Sequence, residues 1–408
     1  MLVSLFSLPN STLGLVFGVI ALLGCLIISI PITVFFLECA FAMLPVRKGF
    51  SARRPSAAVL VPAHNEALGI EPVLRGILAD LAATDRLIVI ADNCTDDTAE
   101  LARVAGATVI ERNDNERRGK GYALDCGLKS LRDNPPEVVI VMDADCLVQT
   151  GTLERIAATA FATGRPTQAL YLLDPPSNPR PKDAVSALAF LVKNWVRPSG
   201  LHWLGMPGIL TGTGMALPWS VIREASLASG NIVEDMQLSM DLAIAGHPAL
   251  FCPGTKVLGQ LPGQNSAAKT QRTRWEHGHL RTIKTQVTRL IRESLKQRRI
   301  DLFVIAMDLS VPPLSLLVMI WGALTVASVG VGFAVQVWLP AAILALEGSM
   351  IGVAILAAWI KFGRQQLPAR TLLSVPFYLL WKIPLYVSYM VRPQTKWVRT
   401  ERDAKPPQ

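Results

Sequence analysis

The strongest constraint on the fold is a long N-terminal segment without any charged residue. No Asp, Glu, Lys or Arg occurs from Leu2 to Leu37, and the run from Leu13 to Leu37 is almost entirely apolar. A helix needs about 20 apolar residues to cross the hydrocarbon core of a bilayer. A cleaved signal peptide is the alternative, but this run is too long and has no basic segment before it. We therefore predict a transmembrane anchor in residues 1–44.

Charge is distributed unevenly along the 408 residues. The net charge is +9, yet residues 55–268 contain more Asp and Glu than Lys and Arg. The basic excess lies in residues 47–54, 269–300 and 361–408, which flank the apolar segments. Basic residues collect on the cytoplasmic side of membrane spans, so we place the acidic central region in the cytoplasm, at a bacterial-type inner (plasma) membrane. The same distribution explains the basic excess without a nucleic-acid partner.

Two more spans are predicted toward the C-terminus, in residues 312–360, with a short turn near residues 337–340. Glu347 lies within the second of these spans. An ionisable side chain at that depth usually faces a protein partner or a polar cavity, although near a helix end it simply reaches water. The apolar segment from Leu372 to Val391 is broken by two prolines and a lysine. We predict that it forms an interfacial or re-entrant element rather than a further span.

Between the N-terminal and C-terminal apolar regions, short β-branched runs alternate with helical patterns. This alternation is typical of a parallel sheet flanked by helices. The candidate strands are Ala57–Val61, Arg86–Ala91, Ala107–Glu111, Glu137–Met142 and Thr167–Leu173. Helices are predicted to begin near Glu66, Thr95, Lys120 and Gly151. In such sheets, ligands bind beyond the carboxyl ends of the strands.

Acidic residues follow three of these strands. They are Glu66, then Asp92 with Asp96 and Asp97, then Asp143 with Asp145. Capping of the next helix is an alternative role for Asp96 and Asp97, whereas Asp92 ends a strand and is not explained by capping. Two carboxylates two residues apart, as in Asp143 and Asp145, can share a hard divalent cation with substrate phosphates.

The segment Arg117-Arg118-Gly119-Lys120-Gly121 is a candidate phosphate site. It supplies cations, together with glycines that let the backbone approach a diphosphate. It lacks the Walker spacing, and no GxGxxG sequence follows a strand. We therefore disfavour an NTPase or a dinucleotide-dependent enzyme.

Two motifs lie between the candidate strands and the basic region. Gly212–Met215 predicts a flexible backbone turn. Glu234 and Asp235 are adjacent carboxylates that follow an apolar stretch and precede a helix. A helix cap is the alternative role for Asp235.

The last motif is Gln271-Arg272-Thr273-Arg274-Trp275. Gln271, Arg274 and Trp275 are three and four residues apart, so they project from one face of a helix. Arginine can bind phosphate through two hydrogen bonds, and tryptophan offers a stacking surface for a sugar. For the basic segment as a whole, an interfacial helix on anionic lipid is the alternative.

The order of these elements resembles the membrane-integrated family-2 glycosyltransferases, a group that includes cellulose, hyaluronan and chitin synthases and ceramide glucosyltransferases. The resemblance covers about residues 55–300 and, through the flanking spans, most of the chain. It implies an α/β fold, with a GT-A-like (Rossmann-like) cytosolic domain that has a mostly parallel sheet and is flanked by transmembrane and interfacial helices. The implied divisions are a transmembrane anchor (1–44), a GT-A-like domain (45–268), the QxxRW motif with basic interfacial helices (269–311), two transmembrane helices (312–360), and a cytosolic loop, interfacial or re-entrant segment and basic tail (361–408).

The resemblance also implies how the donor is bound. Asp92 would bind the uracil-ribose part of a nucleoside diphosphate sugar, for which a UDP-sugar is favoured, with Glu66 and Lys120 beside it. Asp143 would contact the donor as well. Asp143 and Asp145 would hold Mg²⁺ or Mn²⁺ on the diphosphate.

For the remaining motif residues, the resemblance implies roles in catalysis and in binding the acceptor. Asp235 would be the general base that removes the proton of the acceptor hydroxyl. Glu234, Gln271, Arg274 and Trp275 would hold the diphosphate and the acceptor near membrane lipid. Direct displacement assisted by one base would invert the anomeric centre.

The chain differs from the large processive synthases of this group. Only three spans are predicted, no gating-loop motif is recognised after QxxRW, and Ile-Val-Glu-Asp stands where many have Thr-Glu-Asp. A polar polymer needs a wet channel lined by protein, which three helices would hardly enclose. We therefore favour a non-processive enzyme that acts on a lipid-linked or other saccharide acceptor, in (exo)polysaccharide or glycolipid synthesis. A processive synthase and a catalytically silent nucleotide-binding scaffold are the alternatives.

Overall fold

The computed structural model describes residues 12–45, 53–174, 181–225, 227–228, 234–260, 265–364 and 367–391. Some expectations from the sequence fall outside these ranges. They concern Arg47 and Lys48, Ile232 and Val233, and the basic tail in residues 392–408.

An eight-stranded sheet lies at the centre of the described residues. Its strands are β1 (Ala57–Ala63), β2 (Arg86–Asp92), β3 (Thr108–Arg112), β4 (Val138–Val141), β5 (Cys146–Val148), β6 (Thr167–Asp174), β7 (Met215–Pro218) and β8 (Leu250–Gln260). Their order is β3-β2-β1-β4-β7-β6-β8-β5. The first four in this order are mutually parallel, and β6 pairs with β8 in parallel. β7 is antiparallel to both β4 and β6, and β5 is antiparallel to β8.

The sheet is therefore mixed, and the prediction of a mostly parallel sheet was wrong. All five predicted strands are present, with ends that differ by at most two residues. The three strands that the sequence did not reveal are β5, β7 and β8. β5 and β7 are only three and four residues long, and Pro253 and Gly254 interrupt β8. Short or interrupted strands carry too little of the period-two pattern to be recognised.

Fourteen α-helices accompany the sheet within the described ranges. They are α1 (Thr12–Ala42), α2 (Ile70–Asp80), α3 (Thr98–Val104), α4 (Lys120–Ser130), α5 (Thr152–Thr163), α6 (Pro181–Leu191), α7 (Arg197–Trp203), α8 (Trp219–Ile222), α9 (Glu234–Ile244), α10 (Asn265–Gln297), α11 (Ile300–Ser310), α12 (Leu314–Val335), α13 (Leu339–Ala358) and α14 (Val375–Val391). Short π-helical segments span Val192–Val196 and Trp359–Gly363, and a 3-10 helix spans Ala369–Ser374.

The central strands are buried on both faces because their side chains alternate between two cores. Val59 and Val61 pack with α2 and α5 on one face, whereas Ala58 and Leu60 pack with α4 on the other. All four residues of β4 are buried, which explains its unbroken apolar sequence. The carboxyl ends of β1, β2 and β4 therefore lie side by side at one edge of the sheet.

Three helices in the described ranges are long and apolar enough to cross a membrane. They comprise Gly14–Ala42, Leu314–Val335 and Leu339–Gly363, the same three regions in which the sequence predicts spans. The segment predicted to be interfacial or re-entrant forms the 3-10 helix and α14. Lys382 of α14 is buried and forms an ion pair with Glu276 of α10.

Polar contacts join α1 to α12 and α13. The Cys25 thiol donates to the carbonyl oxygen of Pro340 at 3.6 Å and lies 3.9 Å from the hydroxyl of Ser328. Ser29 donates a hydrogen bond to Glu347. Glu347, the ionisable residue of the last candidate span, therefore contacts another helix of the protein. A protein partner is one of the arrangements expected for an ionisable residue at that depth.

A buried arginine connects α1 to two helices outside the candidate spans. At the start of α7, Arg197 donates from Nε to Glu38 Oε2 at 2.5 Å and from Nη2 to the carbonyl oxygen of Asp308 at 2.6 Å. It also forms an ion pair with the Asp308 carboxylate. Burial by itself lowers the pKa of Arg197, but the two carboxylates raise it above its ordinary value. We call Glu38, Arg197 and Asp308 the arginine clamp, because they hold α1, α7 and α11 together.

Replacement of Arg197 by methionine is expected to destabilise the protein strongly, because the buried Glu38 and the mostly buried Asp308 lose their cation. Removal of one partner from a buried ion pair costs about 3–5 kcal/mol. The measurement is thermal unfolding of the detergent-purified protein. Arg223→Met is the matched control, since the Arg223 side chain is 54% exposed. Equal unfolding temperatures for the two variants would contradict the role of the clamp.

Candidate active site

A cavity of about 430 Å³ lies at the sheet edge where β1, β2 and β4 end. All ten residues for which the sequence predicts a donor, metal, catalytic or acceptor role line this cavity. They are Glu66, Asp92, Lys120, Asp143, Asp145, Glu234, Asp235, Gln271, Arg274 and Trp275. The structure thus brings them to one place, while their individual roles stay predictions.

Asp92 is the last residue of β2 and is held by Arg112. Arg112 Nη1 and Asn93 Nδ2 donate to Asp92 Oδ1 at 2.6 and 2.9 Å. Asp92 and Arg112 are register partners at the ends of β2 and β3, and a buried carboxylate requires such a partner. The sequence analysis missed Arg112, although its position at the end of the neighbouring parallel strand is the signal that reveals it.

Of the two acidic residues after β2 for which helix capping is the alternative role, Asp97 stands at the N-cap of α3 but makes no side-chain capping hydrogen bond, whereas Asp96 bonds the first N–H group of the helix. Its carboxylate accepts hydrogen bonds from the backbone N–H groups of Thr98 at 3.1 Å and Ala67 at 3.2 Å. These bonds tie the loop after β1 to the start of α3. Glu66 and Asp92, in contrast, line the cavity.

Lys120 is the first residue of α4 and joins two other segments of the site. Its ammonium donates to the Asp143 carboxylate and, at 2.7 Å, to the carbonyl oxygen of Gly212. Burial by itself lowers the pKa of Lys120, but the surrounding carboxylates, Asp143 first among them, raise it above its ordinary value. Lys120 is therefore a permanent cation among the acidic residues.

Asp143 and Asp145 lie in the short connection between β4 and β5. The ligand atoms of Asp143, Asp145 and Cys146 are all within 4.8 Å of one another. Cys146 is fully buried, and its sulfur is a soft ligand that hard divalent cations do not favour. The two carboxylates remain, and carboxylate oxygens suit a hard cation such as Mg²⁺ or Mn²⁺.

Glu234 and Asp235 are the first two residues of α9. Burial, and then the neighbouring Asp235 carboxylate, raise the pKa of Glu234 to about 7. Burial also raises the pKa of Asp235, although Lys120 and Lys193 oppose the shift. A carboxylate with a raised pKa is a stronger proton acceptor than an exposed one.

Gly212 lets the backbone approach Asp235 closely. Its φ angle is +94°, and a Cβ at this position would lie 3.0 Å from Asp235 Oδ2 and 3.4 Å from Lys120 Nζ. Only glycine adopts such an angle at low cost. The turn predicted at Gly212–Met215 therefore packs directly against the acidic residues before it enters β7.

The predicted face of α10 is directed into the cavity. Gln271 is only 6% exposed, and its Oε1 has no hydrogen-bond partner among the described residues. A buried acceptor atom of this kind is expected to bind water or a ligand. The Trp275 ring lies 5.7 Å from the ring of Phe190. Arg272, which the sequence analysis did not single out within this motif, pairs with buried Asp183 at 3.0 Å and holds α10 against α6.

The cavity has a second end, which is lined by the helices. It is lined by Phe35 of α1, by residues of the segment from Asp308 in α11 to Ser315 in α12, and by Tyr378 of α14. We call this part the helix end and the acidic part the sheet end. No sequence pattern marks three further lining residues, which are Lys193, Arg197 and His279.

A family model described as "Glycosyltransferase like family 2" matches residues 55–278, which is more than half of the chain. A curated relative, the "Probable glycosyltransferase YdaM" of Bacillus subtilis (strain 168), is 25% identical over 277 residues. The match covers 61% of this chain and 61% of that protein. The chain thus spans about three fifths of the length of the relative.

Among solved structures, the chain is similar to the mannosyltransferase PcManGT from Pyrobaculum calidifontis, in complex with GDP-Man and Mn²⁺. The TM-score is 0.52 at 18% identity, with 93% of this chain and 100% of that chain covered. This likeness shows a GT-A-like α/β fold with a mixed sheet. Glucosyl-3-phosphoglycerate synthase from Mycobacterium tuberculosis is 21% identical over 51% of this chain and 77% of that chain, but its TM-score of 0.34 is too low to support an argument.

Gly212→Ala is expected to lower the free energy of unfolding by about 1–3 kcal/mol, because the positive φ angle is strained for alanine and the new methyl group meets Asp235. The measurement is thermal or denaturant unfolding. Gly76→Ala within α2 is the matched control, since its Cβ would make an ordinary contact with Val148 at 3.8 Å. Alanine should be neutral or stabilising there. Similar stabilities for both variants would contradict the close approach at Gly212.

Proposed function

The chain belongs to the glycosyltransferase-like family 2, and on this premise we propose that it transfers one sugar from a nucleoside diphosphate sugar to a membrane-associated acceptor with inversion at the anomeric carbon. The observation that carries the proposal is the continuity of the cavity. One end presents the acidic residues beyond the strands, and the other reaches helices that are long enough to cross a membrane. Such a cavity suits a polar donor and an acceptor bound to lipid.

The donor binds at the sheet end. Asp92, fixed by Arg112 at 2.6 Å, accepts hydrogen bonds from the nucleoside, and Glu66 lies beside it in the same lining. Lys120 supplies positive charge near the diphosphate, and its bond to Gly212 keeps it in place. A UDP-sugar is the predicted donor class. The similar mannosyltransferase was solved with GDP-Man, so the panel of donors in any assay includes both nucleotides.

Asp143 and Asp145 are the residues that would hold Mg²⁺ or Mn²⁺. Their carboxylate oxygens suit a hard cation, whereas the neighbouring Cys146 sulfur does not. A divalent cation held there would stabilise the charge that develops on the departing nucleoside diphosphate. The similar mannosyltransferase was solved with Mn²⁺, which supports a divalent cation of this kind.

Asp235 accepts the proton of the acceptor hydroxyl. Burial makes it a stronger base, and contact with Gly212 limits where its carboxylate can lie. The hydroxyl oxygen then attacks the anomeric carbon from the face opposite the nucleotide, so one displacement inverts the configuration. Glu234, Gln271, Arg274 and Trp275 line the space in which the diphosphate and acceptor meet.

The acceptor is proposed to be lipid-linked and the enzyme non-processive, at a bacterial-type inner membrane with the GT-A-like domain in the cytoplasm. Three candidate spans occur in the described ranges, too few to enclose a wet channel for a growing polymer. The domain divisions given from the sequence remain part of this proposal. Transfer of one sugar needs no such channel.

Asp235→Asn is expected to lower turnover by at least about 100-fold, because general base catalysis contributes 10²–10⁴-fold. Affinity for the nucleotide should be unchanged. The measurement combines a transfer assay with calorimetric titration of the nucleotide. Asp241→Asn is the matched control on the same helix, since the Asp241 side chain is 47% exposed and pairs with Arg289 outside the cavity. Unchanged turnover in Asp235→Asn would overturn the assignment of the base.

The rate of transfer is expected to rise with pH over a range above that in which an exposed aspartate loses its proton. The base must be ionised to act, and burial raises the pKa of Asp235. The Asp235 charge in turn raises the pKa of Glu234 to about 7, so Asp235 loses its proton first. Glu234→Gln should therefore leave the acidic limb of the profile in place. A rate that does not fall as the pH is lowered toward the ordinary pKa of an aspartate, about 4, would contradict the proposed base.

A further inference from the structure

The cavity holds a lysine that the proposed donor and base chemistry does not use. Lys193 lies in the π-helical segment Val192–Val196 and lines the cavity. Single π-helical turns inside α-helices occur frequently at functional sites. Here the segment connects α6 to α7, and it places Lys193 one turn before Arg197 of the arginine clamp.

Lys193 has no hydrogen bond or ion pair with any residue in the described part of the chain, although its side chain is only partly exposed. The other cations of the cavity differ in this respect. Lys120 pairs with Asp143, and Arg197 pairs with Glu38 and Asp308. Burial lowers the pKa of Lys193. This direction is typical of an ammonium group that has lost water without gaining a close counter-ion.

The surroundings of Lys193 indicate what kind of anion it would meet. Among the charged groups that act on the pKa of Lys193, Asp235 is the strongest, followed by Arg197, Asp308 and Glu276. Lys193 and the proposed base therefore lie within electrostatic range in one cavity. The lining of the cavity also includes apolar residues, among them Phe35, Val311 and Leu314. A molecule that fills this space has a hydroxyl near Asp235, a negative charge near Lys193 and an apolar chain among the helices.

We propose that Lys193 binds the phosphate group of an anionic lipid-linked acceptor and thereby selects this acceptor class over uncharged glycolipids. The inference rests on the proposed function and deepens it by naming the acceptor chemistry. In a lipid-linked sugar phosphate, one sugar separates the attacking hydroxyl from the phosphate. That arrangement matches a base and a cation that share one cavity.

Two other roles for Lys193 make different predictions. If it only tuned the proton affinity of Asp235, its loss would change the pH profile without changing the preference for charged lipid. If it bound the diphosphate of the donor, its loss would weaken nucleotide binding. A test therefore has to measure lipid preference and nucleotide affinity on the same protein.

The test compares the binding of polyprenyl phosphate and of polyprenol with the same chain length to the full-length protein in nanodiscs of neutral lipid. The wild type should bind the phosphate at least about tenfold more tightly, as expected for a hydrogen bond between charged groups. Lys193→Met should abolish this preference, whereas Lys193→Arg should largely retain it. Lys129→Met is the matched control, since that side chain is 60% exposed and lies on α4. Nucleotide affinity should be equal in all four proteins.

Three results would overturn the proposal. They are equal binding of the two lipids by the wild type, a preference that survives in Lys193→Met, and a loss of nucleotide affinity in that variant. Failure of the proposed function would look different. If the protein shows the lysine-dependent preference but transfers no sugar from any nucleotide donor, the anion site is supported and the proposed glycosyl transfer is refuted.

Discussion

The contact on which the architecture depends is the arginine clamp. The Arg197 guanidinium joins three helices, which are α1, α7 and α11. Of these, α1 is apolar enough to cross a membrane, and α11 directly precedes the second candidate span. Because Arg197 and Glu38 are buried and Asp308 is mostly buried, the clamp is intact only if these helices meet at one place. The helix end of the cavity lies at that place, since Arg197 and Asp308 are part of its lining. The packing of the candidate spans and the geometry of the cavity thus depend on the same ion pairs.

Several carboxylates lie close together at the sheet end, and a few nearby cations offset their negative charge. Carboxylates crowded into a cavity repel one another and lose water, so their pKa values rise unless positive charge is near. Arg112 pairs with Asp92, and Lys120 pairs with Asp143, although burial still raises the pKa of Asp143. Glu234 and Asp235 have no ion pair this close in the described residues, and burial raises their pKa values as well. The lack of a close cation at Glu234 and Asp235 costs stability, but it also makes this pair suitable for proton transfer.

Much of this arrangement could be predicted from the sequence because it is local. The apolar runs of β1, β2 and β4 end in acidic residues, and parallel strands bring those ends together, which accounts for Glu66, Asp92, Asp143 and Asp145. The other six predicted site residues lie at the starts of α4 and α9 and on α10, and they line the same cavity. Features set by distant partners could not be predicted. Arg197 pairs with residues 159 and 111 positions away, and no local pattern marks it or Lys193. The antiparallel strands β5 and β7 were missed because they are too short to show a period.

The central claim is that one cavity carries a sugar from a nucleotide to a lipid. Its most direct test is to incubate the protein, in native membranes, with a panel of radiolabelled UDP- and GDP-sugars and Mn²⁺, and then to measure label in the organic extract and the size of the labelled product. The account predicts label from one donor in the lipid fraction, as a product extended by a single sugar. Label confined to water-soluble material, or a ladder of long chains, would contradict it.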